Sequence, residues 1–139
     1  MKKVFVDTAY FIAVFRVGDQ WKASAVEARR LLGDVALVTT DEVLTEFLTA
    51  LSRAGKPLRM EAAEAVQTML EDPGVKVVSQ SRQSFVDGVA RYKQRLDKGY
   101  SVQDCISMNV MEAEGITDIL TSDHHFEQAG FNILMKPRR

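Results

Sequence analysis

Four acidic residues that are far apart in the chain occupy positions suited to catalysis: Asp7, Glu46, Asp104 and Asp123. Asp7 ends the stretch VFVD and Asp123 ends ILTSD, so each follows a run typical of a buried strand. Carboxylates that meet in a low-dielectric cavity repel each other, and a divalent cation relieves that repulsion. Because oxygen-only ligands favour magnesium or manganese, the pattern indicates a Mg²⁺ or Mn²⁺ site suited to phosphodiester hydrolysis.

Each acid also has a purely structural interpretation, and the residues alone leave both interpretations open. Asp7 and Asp123 are in position to cap helices by accepting backbone N–H groups. Asp104 fits the acidic position of a capping box that begins at Ser101. Glu46 lies beyond the edge of the apolar stripe of its helix, so periodicity predicts that it is exposed to solvent.

The strongest single case for a ligand is Asp104. At about 100° per residue, it lies in line with Met108 and Met111, so we expect its carboxylate to be partly enclosed. No lysine or arginine lies three or four residues away to pair with it. Because a buried charge is costly without a partner, the pattern favours a metal ion beside Asp104.

Short apolar runs alternate with segments of helical periodicity, which predicts an α/β domain with a mainly parallel sheet. Ligands of such sheets bind beyond the carboxyl ends of the strands, where Asp7 and Asp123 are predicted to lie. A capping box, Thr39-x-x-Glu42, predicts that the third helix begins at Thr39. Strands are predicted at VFV, VALVTT, VKVV, DILTS and NILM, and helices over about 8–15, 19–32, from 39, 58–70, 84–96, 101–114 and 124–129.

The composition is that of an ordinary globular protein and excludes several classes. The 139 residues fit one domain, 1–139, and the formal net charge of -1 does not by itself indicate a nucleic-acid partner. A single cysteine, Cys105, rules out an internal disulfide, and we expect it to be a small core residue. Asp7 interrupts the apolar N-terminal stretch, which argues against a secretion signal, and no segment is long and apolar enough to span a membrane. We therefore expect a cytoplasmic protein.

Two other chemistries are not favoured by the residues. A zinc site would need convergent nitrogen or sulfur ligands, but the adjacent His124 and His125 point in different directions and Cys105 lies elsewhere. One of the two histidines could contact phosphate, and a solvated helix start explains the pair at least as well. A dehalogenase-type phosphatase needs a second Asp two residues after the first, and that position is Ala9. A receiver domain needs an Asp after its third strand, where this chain has Ser-Gln-Ser.

Taken together, these motifs resemble the PIN-domain ribonucleases, and most of all the VapC-type toxins of toxin–antitoxin systems. The resemblance rests on VFVDTAYFIAVF, TTDEVLTEFLTAL, YSVQDCISMNVMEAEGITDILTSDHHF and AGFNILM, which together span nearly the whole chain. It implies a three-layer α/β/α fold with a central, mainly parallel sheet of about five strands. It also implies a Mg²⁺- or Mn²⁺-dependent endoribonuclease that forms a homodimer and is held inactive by an antitoxin. In that family the acids Asp7, Glu46, Asp104 and Asp123 would be the catalytic metal-binding quartet, supported by the hydroxyls of Thr8, Thr121 or Ser122.

Such a site repels RNA, so basic residues must hold the strand nearby. Tyr92 and Tyr100 are candidates for stacking on unpaired bases. Solvated helix faces and a soluble tail explain the same charges without any RNA. The candidate basic residues are Arg53, Lys56, Arg59, Arg91, Lys93 and the tail residues Lys136, Arg138 and Arg139.

Two alternatives remain beside the toxin interpretation. The chain could be a non-catalytic PIN-like scaffold that binds RNA or protein, although such a scaffold has no reason to keep four mutually repelling acids. It could also be a housekeeping RNA-processing nuclease. The RNA target is not encoded in any motif, because specificity for a folded RNA depends on surface shape and loops.

Overall fold

Five short strands form one fully parallel sheet in the part of the chain that the structure, a computed structural model, describes: residues 1–137. The spatial order is β3-β2-β1-β4-β5. The five strands that the sequence predicted are therefore all present, and the mainly parallel α/β sheet is confirmed. The strands are β1 Lys3–Val6, β2 Ala36–Thr40, β3 Val75–Val78, β4 Asp118–Leu120 and β5 Asn132–Ile133.

Seven helices connect and cover these strands within residues 1–137, which confirms the predicted three-layer fold. Helix α1 packs against α2 and α3, and α3 packs against α4; α5 packs against α6, and α6 against α7. The chain crosses from β1 to β2 and β3 on one side and then returns to β4 on the other. The helices are α1 Thr8–Phe15, α2 Lys22–Leu32, α3 Asp41–Ala50, α4 Lys56–Glu71, α5 Arg82–Gln94, α6 Val102–Glu114 and α7 His124–Gln128.

The core explains why the central strand is uniformly apolar. Val4, Phe5 and Val6 of β1 are all buried, because helices cover the sheet on both faces. Met108 on α6 is fully buried too, which confirms that the Asp104 side of this helix is enclosed. Cys105 is a buried free thiol, as expected for a small core residue.

The predicted start of α3 was wrong by two residues. Thr39 and Thr40 continue β2, where they pair with Val77 and Val78 of β3. The helix cap is the side chain of Thr40, which accepts a 3.0 Å hydrogen bond from the Val43 N–H. The Thr39 hydroxyl instead donates to the Val6 carbonyl at 2.8 Å and so ties β2 to β1. Strand pairing therefore outweighed the capping signal in the sequence.

Several other boundaries also differ from the sequence prediction by one to three residues, among them the start of α2 and the end of β4. Helix α2 begins at Lys22 and not at Asp19, because the Asp19 carboxylate accepts the Trp21 N–H at 2.8 Å in a separate turn. Strand β4 ends at Leu120, so Thr121 and the residues after it leave the sheet. That early exit determines the geometry of the site described next.

Candidate metal centre

The direction in which successive strands are added to the sheet reverses beside β1, and the acidic residues lie close to this point. Strand β1 lies between β2 and β4, so the connections from the neighbouring strands leave in opposite directions. A crevice at such a switch point, beyond the carboxyl ends of the strands, is the usual ligand site of parallel α/β sheets. Asp7 follows β1 and Asp123 follows β4 in this crevice, and the Asp7 N–H donates to the Leu120 carbonyl at 3.2 Å.

Asp7 is a buried carboxylate with one strong protein partner. Its side chain is 6% exposed, and its Oδ2 accepts a 2.7 Å hydrogen bond from the Thr121 hydroxyl. It occupies the N-cap position of α1 but makes no side-chain capping hydrogen bond, although the Thr8 backbone N–H lies close enough to lower its pKa. Capping therefore does not account for this acid.

A single hydroxyl joins the two acids that follow the strands. Thr121 is fully buried, donates to Asp7 and accepts the Asp123 N–H at 3.1 Å. The other predicted supporting hydroxyls make no such link: Thr8 Oγ1 is buried without a hydrogen-bond partner in residues 1–137, and Ser122 is half-buried. Of the three hydroxyls, only Thr121 contacts the acids in the described structure.

Asp104 combines a helix cap with a position inside the site. The Ser101 hydroxyl accepts the Asp104 N–H at 2.9 Å, and Asp104 Oδ2 accepts the Ser101 N–H at 3.1 Å, so the predicted capping box is present. Asp104 is nevertheless only 9% exposed, and the same Oδ2 lies 3.1 Å from Nδ1 of His125. The capping and metal-site interpretations of Asp104 are thus compatible.

His125 is the site residue that the sequence analysis missed. The Asp123 carboxylate caps α7 by accepting the His125 N–H at 2.9 Å, and this turns the imidazole back toward the acids. Its Nδ1 lies 3.1 Å from Asp104 Oδ2 and 3.5 Å from Asp123 Oδ1. One ligand atom from each of Asp104, Asp123 and His125 lies within 4.8 Å of the other two. The solvated helix start was therefore the wrong interpretation for His125, although it holds for His124, whose side chain is 76% exposed.

The electrostatics show that the acids lack sufficient positive charge around them. The pKa of Asp7 is raised to about 7, mainly by burial and to a smaller extent by the charges of Asp104 and Asp123, against the opposing hydrogen bonds from the Thr121 hydroxyl and the Thr8 N–H. Burial likewise raises the pKa of Asp104, with Asp123 adding to the shift and the Ser101 N–H and His125 opposing it. In residues 1–137, no lysine or arginine forms an ion pair with these three acids. Carboxylate oxygens and one imidazole nitrogen at this spacing fit a divalent cation.

Glu46, the fourth predicted acid, lies outside this cluster. It is exposed on α3, as periodicity predicted, and it is not part of the close group of ligand atoms. The neighbouring Glu42 is half-buried and accepts a 3.2 Å hydrogen bond from the Ser84 hydroxyl, so its carboxylate faces α5. The close group of ligand atoms thus contains two of the four predicted acids, Asp104 and Asp123. Asp7 lies beside it, linked through Thr121 and close enough for the charges of Asp104 and Asp123 to raise its pKa, whereas Glu46 is left free to face solvent or a ligand.

The predicted RNA-contacting residues differ in how available they are. Arg53, Lys56, Arg59 and Lys93 are exposed. The Arg91 side chain is only 19% exposed, because its guanidinium pairs with Glu112 at 2.9 Å and donates to Asn109 at 3.2 Å between α5 and α6.

The aromatic candidates and the residues of the basic tail also differ in how exposed they are. Tyr92 is 40% exposed and keeps a free surface for stacking. Tyr100 is 6% exposed and packs edge-on against His125, with ring centroids 5.6 Å apart, so the predicted stacking on a base is contradicted for this residue. Lys136 is exposed, whereas Arg138 and Arg139 lie outside the described residues.

A cleft of about 440 Å³ lies between α3 and α4, and none of its lining residues is one of the four predicted acids. Its lining is mainly apolar and includes Lys56 and Arg59 beside Leu48, Leu51 and Met60.

No helix within residues 1–137 has the length and apolar character needed to cross a membrane.

Comparison with known families places the fold and the site in context. The family model described as PIN domain matches residues 4–132. A comparison with curated protein sequences found no match.

Solved structures with the same fold include three from distant organisms. VapC20 of Mycobacterium tuberculosis, a sarcin-ricin loop cleaving toxin, superimposes with a TM-score of 0.81 at 26% identity, covering 92% of this chain and 95% of its own. FitAcB of Neisseria gonorrhoeae gives 0.64 at 11% identity, covering 96% and 97%. PAE2754 of Pyrobaculum aerophilum gives 0.59 at 17% identity, covering 96% and 90%. The two latter similarities concern the fold alone.

Proposed function

Because the chain belongs to the PIN domain family, we propose that it is a Mg²⁺- or Mn²⁺-dependent endoribonuclease and the toxin of a toxin–antitoxin pair. Residues 1–139 act as one nuclease domain, with Asp7, Asp104, Asp123 and Glu46 as its catalytic residues. The observation that carries the proposal is the convergence of Asp104, Asp123 and His125 at the switch point, with the buried Asp7 beside them and no lysine or arginine ion pair among the described residues to neutralise the acids. A divalent cation bound between these carboxylates would offset their mutual repulsion.

The roles of the chain's own groups follow from their contacts. Asp7, Asp104 and Asp123 hold the cation, and Glu46 on the exposed side of α3 acts on the ion or on its hydration shell. Thr121 fixes the orientation of Asp7 and couples it to the Asp123 backbone. A divalent cation bound here supplies an activated water and neutralises charge on the phosphodiester. The burial of Asp7 and Asp104 strengthens the charge interactions on their side of the site.

RNA reaches this edge of the sheet by contacts with exposed basic groups. Arg53, Lys56, Arg59 and Lys93 are available for phosphates, whereas the charge of Arg91 is already balanced by Glu112. Tyr92 offers a ring for stacking on an unpaired base. Since VapC20 cleaves the sarcin-ricin loop, an exposed loop of a folded RNA is the substrate class that we propose first.

The toxin assignment implies two protein contacts. We propose that a cognate antitoxin binds the chain and blocks the site, and that the nuclease is a homodimer. The antitoxin is supported by the similarity to the toxin VapC20, at 26% identity over 92% of the chain, whereas the homodimer follows from the family resemblance alone. Co-expression with a neighbouring small gene product, followed by size-exclusion chromatography with light scattering, tests both contacts at once.

The catalytic proposal is tested by RNA cleavage with purified variants. Wild type should cleave in Mg²⁺ or Mn²⁺ and stop in EDTA, and Asp7→Asn and Asp104→Asn should each lose at least about 100-fold, because the ion contributes several kcal/mol. Asp34→Asn is the matched control. Asp34 is exposed and lies just before β2, at the amino ends of the strands, whereas the acids of the site lie beyond the carboxyl ends. Full activity in folded Asp7→Asn or Asp104→Asn would end the proposal. Absence of cleavage by wild type, with metal bound, would favour a scaffold.

A further inference from the structure

The imidazole of His125 is placed inside the acidic cluster by contacts on several sides. Its backbone N–H is bonded to Asp123, and its ring packs edge-on against Tyr100. Gly99 lies against the other nitrogen: a Cβ at that position would sit 3.2 Å from Nε2. The ring is therefore held with Nδ1, and not Nε2, directed at the carboxylates.

The spacing around Nδ1 is that of adjacent ligands on one ion. Ligands at 2.0–2.1 Å from an octahedral cation are separated by about 3.0 Å along each edge. Nδ1 lies 3.1 Å from Asp104 Oδ2, near that edge length, and 3.5 Å from Asp123 Oδ1, which is somewhat longer.

We propose that His125 is a direct metal ligand through Nδ1 and the residue that makes this site prefer Mn²⁺ to Mg²⁺. This inference rests on the proposed metal-dependent function. His125 adds a nitrogen donor to a set of acids that alone would favour neither ion strongly. Mg²⁺ is a hard ion that takes oxygen ligands and gives up its waters reluctantly. Mn²⁺ shares the preference of Mg²⁺ for carboxylate oxygens, but as a first-row transition ion it tolerates one imidazole nitrogen better than Mg²⁺ does, so a single nitrogen shifts the balance toward Mn²⁺.

The chain contains a matched control for this proposal. His124 is adjacent to His125 and chemically identical, but its side chain is 76% exposed and its nearest charged partner is Glu127, at 3.9 Å. His124→Ala therefore removes the same side chain without touching the cluster. His125→Asn is the complementary variant, because its amide oxygen replaces the nitrogen donor by an oxygen donor of similar reach.

Mn²⁺ bound to metal-free protein provides a direct spectroscopic readout that does not depend on activity. Electron spin echo modulation should show one directly coordinated nitrogen in wild type, and its pattern should change when the protein carries ¹⁵N-labelled histidine. The signal should persist in His124→Ala and disappear in His125→Ala. By calorimetry, His125→Ala and His125→Asn should lower the Mn²⁺/Mg²⁺ affinity ratio at least about tenfold, and His124→Ala should leave it unchanged.

The outcomes separate this inference from the proposed function. Mn²⁺ bound to wild type without nitrogen coupling, together with RNA cleavage, would overturn the ligand role of His125 and leave the nuclease intact; His125 would then only orient Asp104. Failure of wild type to bind Mn²⁺ at all would overturn both proposals. The labelled wild-type protein decides the question even if His125→Ala does not fold.

Discussion

The Thr121 hydroxyl donates a 2.7 Å hydrogen bond to Oδ2 of Asp7, across a sequence separation of 114 residues. Oγ1 of Thr121 also accepts the Asp123 N–H at 3.1 Å. One side chain therefore links the ends of the adjacent strands β1 and β4. Because Thr121 is fully buried, no water competes for these bonds. The relative placement of Asp7 and Asp123 therefore depends on one hydroxyl group.

Replacing Thr121 with valine keeps the shape and removes the hydroxyl. The Asp123 N–H and the Asp7 carboxylate each lose a buried partner, so the free energy of unfolding should fall by about 1–3 kcal/mol. RNA cleavage should fall as well, because Asp7 is no longer oriented. Urea denaturation and cleavage rates measure the two effects, and Thr121→Ser should restore most of both. A Thr121→Val variant as stable and active as wild type would show that the link is dispensable.

The raised pKa of Asp7 predicts an unusual dependence of stability on pH in the metal-free protein. The unfolded chain titrates this group near 3.8 and the folded chain at about 7, so the folded state binds more protons between these values. The contribution of Asp7 to stability is thus full below about pH 3.8 and is lost as pH rises through 7. At about 1.4 kcal/mol per pKa unit, the free energy of unfolding loses a few kcal/mol from Asp7 over this range of pH.

Asp7→Asn isolates this effect, since it removes the titrating group and keeps its size. In EDTA, wild type should become less stable than Asp7→Asn by a growing margin between pH 5 and pH 8. Denaturant titrations at several pH values give the difference directly. A margin that stays constant over this range would contradict a raised pKa of Asp7 in the folded protein.

Divalent ions should reverse the loss of stability at high pH. A ligand that binds only the folded state contributes about 2.7 kcal/mol at one hundred times its dissociation constant, so the melting temperature should rise with Mn²⁺. Asp104→Asn should abolish most of this rise and Asp34→Asn none of it, as followed by thermal denaturation at pH 8. Equal rises in all three proteins would indicate that the ions bind elsewhere.

The fold itself was largely predictable because its signals are local. The apolar run of β1 and the turn residues after each helix identify strands and helices one at a time, and a parallel sheet then follows from their alternation. The start of α3 was mispredicted because pairing of Thr39 and Thr40 with β3 is a contact between distant segments. No local capping signal can report such a contact.

The site was less predictable for the same reason. The burial of Asp104 followed from the two methionines on its side of α6, and its capping box was correctly identified. His125 was missed because its significance lies in contacts with Asp104 and Tyr100, which belong to α6 and the turn before it. The one available signal was its place two residues after Asp123, where a capping aspartate turns the next side chains back toward the strand end.

Glu46 provides a test of catalysis that is separate from stability. Because it is exposed on α3 and lies outside the close group of ligand atoms, Glu46→Gln should change the free energy of unfolding by less than about 0.5 kcal/mol. The cleavage rate should nevertheless fall by tenfold or more if Glu46 acts on the ion or its water. Glu42→Gln, one helical turn earlier, is the control that should keep the rate. Unchanged cleavage by Glu46→Gln would remove Glu46 from the catalytic set.

If Asp7, Asp104 and Asp123 hold a divalent cation, a water molecule, and not a ribose hydroxyl, attacks the RNA phosphate. Cleavage of an RNA loop in H₂¹⁸O with Mn²⁺, followed by mass spectrometry of the product ends, distinguishes the two nucleophiles. We expect one ¹⁸O in the new terminal phosphate, no 2′,3′-cyclic phosphate, and loss of the product with EDTA or in Asp104→Asn. Cyclic phosphate ends without ¹⁸O, or cleavage that persists in EDTA, would contradict this expectation.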